Sequence, residues 1–184
     1  MRHWLDALGA IVMSLGMVPA LAGAVDARST HSSVPPTCVA SHLTATGFWE
    51  GATNSMAGSV WFTNTGTKPC SLRGYLPVTL RSQDGKALPV VVRREGVTLL
   101  PKPVLHPSAV VLAPSVQHAA AFLFQWWNWC GPNPGPLSVH VALTSRQVLT
   151  VSPVDIGFVV VTPGCIAGAH TRSWMGLAPV GKPR

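Results

Sequence analysis

Residues Val60 to Leu80, VWFTNTGTKPCSLRGYLPVTL, decide how this chain folds. Val60 and Phe62 alternate with Trp61 and Thr63, the period-two pattern of a strand with one buried face. Asn64-Thr65-Gly66 ends that pattern, because Asn and Gly tolerate positive φ and let the chain reverse, and Pro69 keeps the following residues from extending a ladder. Cys70 follows at once. After Gly74 the alternation resumes, with Leu76, Val78 and Leu80 on one face and Tyr75, Pro77 and Thr79 on the other. The stretch reads as a β-hairpin tied down by a cysteine. Asp84-Gly85 is a second hairpin signal, set between that strand and Leu88 to Val92.

Outward from this hairpin the chain continues as short runs separated by proline and glycine, seventeen of each. Val39 to Thr46, Ala57 to Asn64, Tyr75 to Ser82, Ala87 to Arg94, Ala109 to Leu112, Val116 to Trp127, Leu137 to Thr144, Gln147 to Val151 and Asp155 to Thr162 are the expected strands. No window shows sustained helical periodicity, so the pattern fits an all-β sandwich. Leu100 to Pro107, dense in proline, reads as a crossing connection. Residues 166–184 carry no pattern and read as a C-terminal tail, with Trp174, Met175 and Leu177 able to tuck back onto the domain.

Several of these residues resemble a secreted bacterial family catalogued as domain of unknown function 4232. Its Asn-Thr-Gly, Pro-Cys-(Thr or Ser)-Leu and Gly-Tyr-Pro elements match Asn64-Thr65-Gly66, Pro69-Cys70-Ser71-Leu72 and Gly74-Tyr75-Leu76-Pro77, the last with Leu76 inserted. The resemblance continues through Cys38, Leu112-Ala113-Pro114, an alternating strand ending in Trp126, and Cys130, and so spans about residues 38–165. Where the family usually has glycine after that proline, this chain has Ser115, a departure that bears on the turn. The resemblance implies an exported, immunoglobulin-like β-sandwich and carries over no catalytic residue.

The N-terminus agrees with export. Arg2 and His3 precede the apolar run Ala7 to Leu21, and Ala22-Gly23-Ala24 is a small-residue cleavage pattern, which places a signal peptide at residues 1–24. Gly9, Gly16 and Pro19 interrupt the run before the roughly 20 apolar residues of a membrane span; an uncleaved anchor is the alternative. Neither a twin arginine nor a cysteine just after the cleavage point is present. Residues 25–37, rich in Ser, Pro and Thr, read as a disordered lead-in, and residues 38–165 as one sandwich domain. The expected location is secreted or associated with the cell envelope.

Four cysteines in an exported chain favour disulfides. Of the three pairings, Cys38 with Cys70 and Cys130 with Cys165 are favoured, because each closes a loop of about 30 residues between strands that neighbour in a sandwich; by chain entropy each contributes about 3–4 kcal/mol. A four-thiolate zinc site lacks the short spacings such sites use.

The net charge of +7 comes from scattered Lys and Arg with few acids. Such a protein adheres to anionic surfaces, and its expected partner is an anionic cell-wall polymer or polysaccharide. Nucleic acid is not expected, since no basic helix and no aromatic-basic interleaving is present. Gln125-Trp126-Trp127-Asn128-Trp129-Cys130 is the most unusual cluster. Flat indole faces with amide neighbours are the materials of a sugar platform. Alternation sends Trp126 inward behind Ala120, Phe122 and Phe124 and Trp127 outward, while Trp129 either joins the surface or packs on the disulfide. Trp61, Trp127 and Trp129 are the candidate binding residues, with Trp49 a further contributor.

Enzyme chemistry finds little here. The acids beyond the signal are Asp26, Glu50, Asp84, Glu95 and Asp155; no spacing sets two of them across a cleft, and no Gly-x-Ser-x-Gly elbow exists. His42, His118 and His140 form no metal motif. The reading is therefore a non-catalytic binding module at the envelope or outside the cell, without cofactor or metal; a passive structural envelope protein is the alternative.

Overall fold

The computed structural model describes residues 34–52, 54–95, 97–98, 106–153, 162–166 and 172–183. The expected signal peptide, most of the expected lead-in, the proline-dense connection up to residue 105 and most of the strand expected from Asp155 lie outside the described residues. A 3-10 turn at Ala40–His42 leads into ten strands: β1 (Leu43–Ala52), β2 (Ser55–Asn64), β3 (Cys70–Arg73), β4 (Val78–Arg81), β5 (Val91–Arg93), β6 (Ala109–Leu112), β7 (Ala120–Trp127), β8 (Ser138–Thr144), β9 (Gln147–Val151) and β10 (Trp174–Leu177).

These strands form a five-stranded sheet ordered β1-β2-β7-β10-β5, a three-stranded sheet β4-β8-β9 and a two-stranded sheet β3-β6. Their inner faces meet in one apolar cluster: Val60, Phe62, Phe122, Phe124 and Trp126 from the large sheet, Val78, Leu80, Val139, Val141 and Val151 from the second, Leu72 and Leu112 from the third. The expected all-β sandwich with two disulfides is what forms, and the alternation read in Val60 to Phe62 and Leu76 to Leu80 is the alternation of burial observed. Opposed apolar strand faces explain this arrangement, since each sheet has one face that water does not satisfy.

Trp49 shows how the core is fitted. Its indole folds over Gly47, where a Cβ would fall 2.3 Å from the ring, and its own Cβ sits beside Gly58, where a Cβ would also meet the Phe124 ring at 2.5 Å. Trp49 is therefore a core residue, edge-on to Phe124 at 5.9 Å, and not part of a surface patch.

The hairpin stretch is fixed by Asn64. Its side chain, buried at the end of β2, donates from Nδ2 to the carbonyls of Lys68 (2.8 Å) and Leu112 (3.0 Å). Its Oδ1 accepts the Gly66 N–H at 2.9 Å. An Asx turn is thus coupled to β6 through one amide. Arg81 is followed by the Asp84-Gly85 turn, with Gly85 at φ 78° and the Gly85 N–H bonded to the Ser82 carbonyl. The return strand is shorter than expected: Ala87 bridges Arg81, and the chain then leaves for the five-stranded sheet as β5.

Other elements correct the sequence reading. The first strand begins at Leu43 rather than Val39 and runs on to Ala52, because the 3-10 turn occupies Ala40–His42. Val116 to Ala119 do not extend β7: Ser115 and His118 adopt φ of 61° and 52° and break the ladder. Ser115 adopts the left-handed conformation that glycine would adopt without cost. The end of the lead-in is ordered, as Thr37 bridges Ser71 and the Ser71 N–H donates to the Pro36 carbonyl. Most consequential is β10, which lies in the segment read as a tail; it sits between β7, to which it is antiparallel, and β5, to which it is parallel.

Both disulfides pair as expected, Cys38 with Cys70 and Cys130 with Cys165. They tie connecting segments rather than two strands, since only Cys70 belongs to one. The first is buried in the core, the second lies exposed. No helix of the described residues is long and apolar enough to cross a membrane.

Candidate functional site

The outer face of the five-stranded sheet holds the exposed aromatic residues. Register places Thr46, Trp61 and Ala121 in one row across β1, β2 and β7, and Phe48, Ser59 and Leu123 in the next row on the same face. Trp61 and Phe48 are therefore diagonal neighbours, about 7–8 Å apart on adjacent strands, and they are 37% and 39% exposed. His118 braces Trp61 edge-on at 4.6 Å, and its Nε2 lies 3.4 Å from Thr46 Oγ1. The His118 backbone is held in turn by Thr63, whose Oγ1 accepts its N–H at 3.0 Å.

Beside Trp61 the surface dips into a groove of about 760 Å³. Ala121 and Leu123 form its floor, Val110 stands on one side, and Val180 with Lys182 on the other. The second wall follows from the chain's path after β10: the Ala178 N–H donates to the Leu123 carbonyl, and Gly181 exchanges both backbone hydrogen bonds with Ala121.

Trp127 is on the same outer face but elsewhere. It pairs with Ser55, six residues along β7 from Ala121, which puts it about 20 Å from Trp61. Its half-buried ring stacks on Trp174 at 4.1 Å with 15° between planes, and the Arg93 guanidinium lies 5.0 Å from the Trp174 ring centre. Between the two aromatic regions, Gln125 Oε1 accepts the Thr98 N–H and hydroxyl at 3.0 and 2.9 Å, so the 97–98 segment covers the middle of the face.

Trp129 does not join either region. It is buried, its Nε1 donates to the Pro132 carbonyl at 2.9 Å, and its ring lies 5.4 Å from Trp126 and against Gly131, where a Cβ would fall 2.5 Å from the indole. Of the three candidates, then, Trp61 is presented to solvent, Trp127 is stacked and Trp129 is withdrawn. Phe48, Trp174 and His118 are the residues that sequence reasoning missed. Phe48 was findable, since it continues the outward parity of Thr44 and Thr46.

The ionisable groups are dispersed. Asp84 is held by hydrogen bonds from Lys86, 2.8 Å away, and from Ser82, which lower its carboxyl to about 2; the same contact raises Lys86. Burial, and then the Arg81 charge, lower His140 below the ordinary imidazole value; its Nε2 lies 3.3 Å from Thr150 Oγ1. Among the described residues no group of three or more His, Cys, Asp or Glu is placed to hold a metal ion.

Fold and surface together define a disulfide-bonded β-sandwich with exposed aromatic rings on one sheet face, where exposed Glu50 lies two residues along β1 from Phe48. The family described as "Domain of unknown function (DUF4232)" matches residues 38–155, and the chain belongs to that family. Neither a curated protein nor a solved structure matches the chain.

Proposed function

We propose that this protein is a non-catalytic binding module, exported by its N-terminal signal peptide and acting at the cell envelope or outside the cell, that holds an anionic cell-wall polymer or polysaccharide across Phe48 and Trp61. The observation that carries the reading is the pair of open aromatic rings side by side on a braced strand face. Flat rings stack on the apolar face of a pyranose, and strand spacing gives them a separation suited to successive contacts along a polymer. The excess of basic residues, +7 in all, draws the protein toward acidic polymers and raises the encounter rate. Catalysis forms no part of this reading, and neither do a cofactor, a metal or nucleic acid.

A passive structural role in the envelope is the second reading. It is favoured by the packing of Trp129 and by the stacking of Trp127 on Trp174, which commit two of the three candidate indoles to the fold.

Sedimentation of the protein with purified cell-wall polysaccharide, at low and high salt, separates the two. The expected result is saturable binding that survives salt and falls at least about tenfold in Phe48→Ala and Trp61→Ala. Binding that disappears with salt, or that is untouched by both substitutions, overturns the proposal.

A further inference from the structure

We propose that the groove beside Trp61 is a separate small-molecule site, which takes the acyl chain of a fatty acid and places its carboxylate at Lys182. The argument starts from what the groove offers a ligand. Ala121, Leu123 and Trp61 line the groove together with Val110 and Val180, which are themselves buried. The hydroxyls near it are those of Ser59, itself buried, and Ser108. A sugar in this space would leave most of its hydroxyls unpaired, which is costly away from water. An acyl chain has no such groups.

A peptide strand is disfavoured for a related reason. The segment after β10 already occupies the backbone of β7 here, through Ala178 to Leu123 and the double bond between Ala121 and Gly181. The β7 edge at the groove is therefore not open to β-augmentation, and affinity has to come from apolar burial. The volume, about 760 Å³, is within the usual range of small-molecule sites.

Charge selects the head group. Lys182 is exposed and lines the groove, and Arg73, which does not line it, donates from Nε to the carbonyl of the lining residue Pro107 at 3.4 Å. Among the described residues no acid lines the groove. An apolar trough with a lysine at its rim and no acid among its described lining complements a chain that ends in a carboxylate. The proposal shares Trp61 with the polysaccharide surface and is otherwise independent of it, since Phe48 does not line the groove.

The test is calorimetric titration of the full exported protein with dodecanoate, dodecanol and dodecyltrimethylammonium, the two ionic amphiphiles below their micellar concentrations and dodecanol below its solubility limit. One saturable site for dodecanoate is expected, with the cationic amphiphile at least about tenfold weaker. Ala121→Phe, which fills the floor opposite Trp61, is expected to weaken dodecanoate by at least about tenfold with near-UV circular dichroism unchanged. Lys182→Glu, at an exposed position that does not endanger folding, is expected to abolish the preference for the anion. Absence of a saturable site for dodecanoate overturns the proposal, as does equal binding of all three amphiphiles by both wild type and Lys182→Glu. Phe48→Ala is expected to retain dodecanoate binding while losing polysaccharide, so that failure of one reading is distinguishable from failure of the other.

Discussion

Replacing Asn64 by alanine tests the hairpin reading at its most constrained point. The amide makes three hydrogen bonds, to the carbonyls of Lys68 and Leu112 and from the Gly66 N–H. Leu112 is fully buried, so its carbonyl loses a donor with no water at hand, a cost of about 1–3 kcal/mol; the Lys68 and Gly66 groups lie in a surface turn where water substitutes, at about 0.5 kcal/mol each. Together these give about 2–4 kcal/mol. For a chain of this size, each kcal/mol lowers the melting temperature by about 2–4 °C, so Asn64→Ala should melt roughly 4–16 °C below wild type. Calorimetry gives the midpoint, and urea titration followed by Trp fluorescence gives the free energy with its slope. Asn64→Asp sharpens the test, because at neutral pH it retains the acceptor for Gly66 but turns a carboxylate toward two carbonyl oxygens; it should be less stable than the alanine variant. A midpoint for Asn64→Ala within about 1 °C of wild type, at unchanged slope, would refute the assignment of Asn64 as the link between the turn and β6.

Two further outcomes follow from the backbone and the disulfides. Ser115→Gly should raise stability by up to about 1 kcal/mol, since glycine relieves the left-handed strain at φ 61° and gives back part of that gain as chain entropy; a loss of stability in urea titration would show that the serine side chain contributes something the backbone argument omits. Under graded reductant, Cys130–Cys165 should open before Cys38–Cys70, because the first is exposed and the second buried; alkylation and mass spectrometry read the order, and simultaneous loss would contradict it.

The sequence showed the sandwich wherever burial is decided by local alternation. Val60 with Phe62, Leu76 with Val78 and Leu80, and Phe122 with Phe124 and Trp126 all point as their parity requires. It misled where a long-range contact overrides the local signal. Gly47 looks like a strand terminator, yet β1 runs through it because Trp49 needs the empty space above that residue, and so Phe48 was left out of the surface. Trp129 carries no sign in its neighbours that the Pro132 carbonyl and Gly131 would draw it inward. Trp174 to Leu177 is four residues with a glycine, too short for any periodicity, and its partners lie about 50 and 80 residues upstream. The groove was illegible for the same reason, because one wall is the stretch that follows this strand.

The late position of β10 also sets the order of events in folding. The five-stranded sheet is interrupted between β7 and β5 until Leu177 is available, so in a chain synthesised only as far as β9 the core strand β7 carries an open edge and β5 has no partner in that sheet. Pairings of such sequence separation make a slow, late-committing fold. A chain that cannot complete its sheet early keeps the β7 edge open, and that edge is where wrong pairing with another strand has the most to gain.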